Sequence, residues 1–107
     1  MTDYDVRKTH RENLQVDRLR ALMQESFGEV QAKDGKLVSS YGALKELVAW
    51  PAGKDVLGIE TKTDPNVDNE VAQSTIKAYN TFLERATGYT SKERGKRIQK
   101  KAKEGKL

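Results

Sequence analysis

The dipeptide Asp34-Gly35 constrains this chain more than any other feature. Asp-Gly favours the positive φ angles of a two-residue hairpin turn. It separates Glu29-Val-Gln-Ala-Lys33 from Lys36-Leu-Val-Ser-Ser-Tyr41, so those two runs are predicted to pair. Downstream, Pro51-Ala-Gly-Lys-Asp55 reads as a second turn and Val56-Leu-Gly-Ile-Glu-Thr-Lys-Thr63 as a strand, with Leu57, Ile59 and Thr61 on one face and Val56, Gly58 and Glu60 on the other. Residues 44–50 fit a helical stripe (Leu44, Leu47, Val48) and also an alternating one (Val48, Trp50). The turn that follows selects strand, because Pro51 pushes Trp50 toward extended geometry. Connections this short admit no crossover, so the strands must run antiparallel.

Helices flank this block. Leu14, Leu19, Leu22, Met23 and Phe27 recur at helical spacing and Gly28 supplies a stop, predicting a helix over residues 14–26. Asp64-Pro65 looks like a helix entrance, and Val67, Val71, Ile76, Tyr79, Phe82, Leu83 and Ala86 continue a stripe to Gly88. That gives a helix of about 22 residues. Thr90 with Glu93 matches a capping box that opens a further helix. Tyr4, Val6 and Lys8 alternate with Asp5, Arg7 and Thr9, a short first strand. The expected fold is α+β: an antiparallel sheet of four to five strands with a long and a shorter helix on one face, in the order β-α-β-β-β-β-α plus a basic C-terminal helix. Residues 1–90 would form one domain and residues 91–107 a basic helix or tail whose narrow stripe (Gly95, Ile98, Ala102) buries little.

Charge is distributed unevenly along the chain. Residues 91–107 hold eight Lys or Arg against two Glu, which leaves 12 basic and 14 acidic side chains for the rest. A body of net charge −2 therefore carries an end of net charge +6. The chain has no Cys, which excludes disulfides, thiolate catalysis and thiolate metal sites. No window approaches the roughly 20 apolar residues of a membrane-spanning helix. The residues after Met1 lack the basic and apolar regions of a signal peptide, so a cytoplasmic protein without membrane contact is expected.

Reactive constellations are sparse. His10 is the single imidazole and reads as a loop residue, and no loop of alternating acids offers hard oxygen ligands, so no metal site is expected. Ser39, Ser40, Ser74 and Ser91 have no base beside them in sequence. Glu60 with Asp64, or Asp68 with Glu70, are explained by the dipole of the helix they precede. The eight glycines are dispersed and make no phosphate-binding loop; they read as turns and helix ends, and Gly58 inside a strand signals a bulge or a close backbone contact. We therefore expect no catalytic centre and no cofactor.

Tyr4-Asp-Val-Arg7, Phe27-Gly28, Thr63-Asp-Pro65, Asn80-Thr-Phe-Leu83 and Ala86-Thr-Gly-Tyr-Thr-Ser-Lys-Glu-Arg94 together resemble a family of short archaeal proteins known as a domain of unknown function. The resemblance spans most of the chain, except that Thr9-His10 stands where relatives tend to have a Gly. It implies a cytoplasmic single-domain protein and no mechanism.

Two binding readings compete. Lys92, Arg94, Lys96, Arg97, Lys100, Lys101 and Lys103 form a cationic cluster that surrounds its helix axis and presents no single reading face. Clustered cations contact nucleic acid, or an acidic protein, through salt-dependent and sequence-independent attraction. The alternative is a small-ligand or protein-interaction module that uses the space between sheet and long helix. Tyr41, Trp50, Tyr79 and Phe82 would line that space, or else form the core. Self-association through a sheet edge or the last helix is open to such a fold.

Overall fold

A computed structural model of the chain describes residues 2–103, with side chains placed for residues 3–100. Asp34 and Gly35 both adopt positive φ (53° and 77°) and join β2 (Val30–Lys33) to β3 (Lys36–Tyr41) across the flanking pair Lys33 and Lys36. β4 (Leu44–Gly53) and β5 (Val56–Thr63) form the longest pairing, and β1 (Thr2–Asp5) closes the far side. All pairs are antiparallel in the order β1-β5-β4-β3-β2. Residues 44–50 are strand, as the turn argument required.

Three boundaries differ from the sequence expectation by more than two residues, each for a tertiary reason. The first strand stops at Asp5, whose partner Val56 is where β5 begins. Beyond that point the Val6 amide donates to the Asp55 carbonyl at 2.8 Å and the chain turns into a 3₁₀ segment, Lys8–Leu14, ahead of α1 (Val16–Phe27). β4 runs on through Pro51 to Gly53, so the turn shrinks to Lys54 and Asp55. The last β3–β4 pair in that direction is Leu37 with Ala49, so Pro51 has β5 alone as neighbour and sits beside a bulge, where a missing N–H is tolerated. The long helix α2 spans Asn69–Thr87, four residues shorter at its start than Asp64-Pro65 suggested. Asp68 is the true cap and accepts from the Val71 amide at 3.0 Å, while Asp64 accepts from the Asn66 amide at 2.9 Å in a separate turn.

α1 and α2 pack together on one face of the sheet. Leu19, Met23 and Phe27 from α1 and Phe82, Leu83 and Ala86 from α2 meet Leu37, Leu47, Ala49, Leu57 and Ile59 in one core. Phe27 touches the rings of Phe82 and Tyr41, with centroids 5.2 and 6.0 Å apart. The opposite face carries Lys36, Val38, Val48 and Trp50. Trp50 pairs with Gly58, and a Cβ at position 58 would overlap its indole, which is the close contact that a strand glycine signalled. No helix of the described residues is long and apolar enough to cross a membrane.

Candidate functional site

The basic helix α3 (Ser91–Lys103) begins with the expected capping box: the Glu93 amide donates to Thr90 Oγ1 at 3.2 Å, and the Thr90 amide donates to Glu93 Oε1 at 3.1 Å. Its packing is stronger than its apolar stripe implied. Arg94 is only 5% exposed; it donates to the Tyr89 carbonyl at 2.7 Å and to Asn80 Oδ1 at 3.1 Å. Burial pushes its guanidinium below the ordinary arginine value. Arg97 donates to Asp5 Oδ2 at 2.9 Å and lies 4.6 Å over the Tyr89 ring. Arg7, from the start of the chain, lies 4.4 Å over the same ring and donates to the Gly88 carbonyl (2.7 Å) and to Glu93 Oε2 (2.8 Å). The Thr90 amide, and then Arg7, hold the Glu93 carboxyl below the usual carboxylate range.

These contacts give α3 an inner and an outer side, which corrects the expectation of a helix without a preferred face. Arg94 and Arg97 are committed to the body. Lys92, Lys96 and Lys100 remain exposed in a row at four-residue spacing and make no ion pair with another described residue. The side chains of Lys101 and Lys103 lie outside the described residues.

A second candidate lies between the sheet and α2. β1 pairs with residues 56–59 of β5 and no further, so the second half of β5 has no strand on its outer side among the described residues. Past that point a cleft of about 420 Å³ opens, lined by Leu44, Thr61, Thr63, Ala72, Ile76 and Tyr79. This lies in the ordinary size range of ligand sites. Ile76, at 59% exposed, is an apolar side chain left uncovered on its lip. Thr75 pins the helix beside the cleft by donating to the Val71 carbonyl (2.7 Å) and accepting from the Ala43 amide (2.9 Å). Gly42 (φ 52°) makes this approach possible, since any Cβ there would overlap Thr75 Oγ1.

Of the four aromatic candidates, only Tyr79 reaches the cleft. Phe82 is core, Tyr41 is half-buried against Phe27, and Trp50 stands on the other face with Lys36 Nζ 4.3 Å over its ring. The Tyr79 hydroxyl is 3.2 Å from that of Tyr4; burial, and then this hydrogen bond, push the phenol well above the ordinary tyrosine value. The cleft thus combines the Tyr79 ring, threonine hydroxyls and apolar surface with the Asp64 carboxylate at one end. His10 lies in the 3₁₀ segment against Gly88, with Nδ1 at 2.9 Å from Thr9 Oγ1. Among the described residues no cluster of His, Cys, Asp or Glu is arranged to hold a metal ion. Sequence reasoning missed Arg7 and Ile76: Arg7 acts on partners more than 80 residues away, and Ile76 looked like one more position of the core stripe.

Comparison with known proteins agrees with this geometry in fold. The solution structure of the hypothetical protein TA0095 from the archaeon Thermoplasma acidophilum is similar, with a TM-score of 0.66 and 25% identity over 92% of this chain and 97% of that one. No curated protein matches the chain. Residues 1–100 match the family model described as a domain of unknown function, DUF5611, in line with the resemblance carried by the Tyr4, Phe27, Asn80 and Ala86 motifs, and the chain belongs to that family.

Proposed function

We propose that the protein is a non-catalytic binding module whose ligand places an apolar group in the cleft between β5 and α2. The supporting observation is a cleft lined by Leu44, Ala72, Ile76 and Tyr79, with Ile76 left exposed on its lip, beside a strand that its neighbour leaves half open. Titration of the ¹⁵N-labelled protein with indole, a neutral apolar probe, tests it. Amide shifts are expected at Thr61, Ala72, Ile76 and Tyr79, and Ile76→Asp should abolish them. Shifts scattered over the surface, or none, would overturn the reading.

A second reading keeps nucleic acid as partner through the outward row Lys92, Lys96 and Lys100. Three phosphate contacts would give a slope of log K against log salt of about −3 and no sequence preference. Binding of duplex and single-stranded oligonucleotides at two salt concentrations, with Lys92, Lys96 and Lys100 all changed to Glu as control, examines it. No binding near about 50 mM salt removes it. The triple variant should leave indole binding in the cleft unchanged.

A further inference from the structure

One wall of the cleft is a strand edge. In an antiparallel ladder the N–H and C=O groups of successive residues point to opposite sides. The Asp64 amide donates to the Ala43 carbonyl at 2.8 Å, so Asp64 faces the β4 side. Counting back, Lys62 and Glu60 share that direction, whereas Thr61 and Thr63 turn their peptide groups to the outer side. Among the described residues β1 reaches no further than Thr2, opposite Ile59. An edge of this kind is a template for a further strand. The side chains of Thr61 and Thr63 meanwhile lie on the helix face and line the cleft, with Ala72, Ile76 and Tyr79 across from them.

We propose that this edge and cleft dock an extended peptide segment of a partner protein. The segment adds as a sixth strand along β5, and its backbone exchanges hydrogen bonds with Thr61 and Thr63. One apolar side chain enters between β5 and Ile76, and a Lys or Arg flanks it. The inference rests on the cleft reading above and adds the chemical nature of the ligand. Main-chain bonds would give affinity and the cleft would select the side chain. The basic flank follows from Asp64, which lines the cleft, and from the exposed Asp68 and Glu70 at the cap and first turn of α2. A second copy fits less well: pairing two β5 edges would bring these acids together across the contact, and it would offer the cleft threonines that are too small and polar to fill it.

The test starts from a phage-displayed library of random dodecapeptides panned on the full chain. Selected peptides are synthesised and titrated into the ¹⁵N-labelled protein. Peptides carrying an apolar residue next to Lys or Arg are expected, with shifts and slowed exchange at the Thr61 and Thr63 amides. A version N-methylated at the amides facing β5 should bind at least tenfold more weakly, although its side chains are intact. Equal binding by the N-methylated peptide, or selection of none that moves Thr61 and Thr63, overturns strand addition. In either case indole still binding the cleft leaves the cleft reading standing, and indole failing as well removes both. Sedimentation showing concentration-dependent self-association that protects the same amides would replace the peptide with a second copy.

Discussion

Tyr79 shows how one side chain can belong to both the core and a ligand site. Its ring lines the cleft while its hydroxyl meets Tyr4, and both circumstances favour the neutral phenol in the folded state. Because its folded pKa lies above that of the unfolded chain, its contribution is full below the unfolded tyrosine value of about 10 and is lost as pH rises beyond it. Urea midpoints measured from pH 8 upward should therefore fall more steeply in the native protein than in Tyr79→Phe. Arg94 makes the complementary case. Its removal as Arg94→Leu leaves the Tyr89 carbonyl and Asn80 without their donor and is expected to cost about 2 kcal/mol in chemical denaturation. Lys96→Ala, on the outward side of the same helix, should change stability by less than about 0.5 kcal/mol.

At the scale of elements, local signals decided what formed and long-range contacts decided where it stopped. The Asp34-Gly35 turn, the Gly28 and Gly88 helix ends and the Thr90 capping box are written in neighbouring residues, and each occurs where it was expected. The start of α2 was not legible in this way, because Asp64 and Asp68 are both acceptable caps. The bond from the Asp64 amide to the Ala43 carbonyl holds Asp64 on the sheet and leaves the cap to Asp68. The strength of α3 docking was hidden for a related reason: it is polar. A reading of apolar stripes sees Ile98 and misses Arg94, Arg97 and the Tyr89 ring beneath two guanidiniums. Deleting residues 91–107 is thus expected to lower the melting temperature by about 10 °C, read by calorimetry. A change within error would show that α3 is as loosely held as its composition suggests.

For the molecule as a whole, the placement of the cleft follows from unequal strand lengths: a four-residue β1 set against an eight-residue β5. No window of sequence contains that mismatch, which arises only when Thr2 comes to lie opposite Ile59. Trp50 and Tyr41 were plausible linings by composition, yet the pleat sends Trp50 to the opposite face and Phe27 claims Tyr41. The geometry of the edge can be checked without any ligand. Native-state hydrogen exchange should find the Lys62 amide protected by β4, while those of Thr61 and Thr63 exchange quickly. Protection of all three would mean that the edge is already occupied.

The ring of Tyr89 is a clasp between distant parts of the polypeptide, since Arg7 reaches it from the N-terminal side and Arg97 from α3. During synthesis on the ribosome, residues 2–7 emerge long before residues 87–97 exist to hold them. β1 can pair with β5 as soon as residues 56–59 exist, yet it lacks this clasp until the chain beyond residue 87 arrives, and an intermediate in which it lets go would leave the outer edge of β5 open to any passing chain.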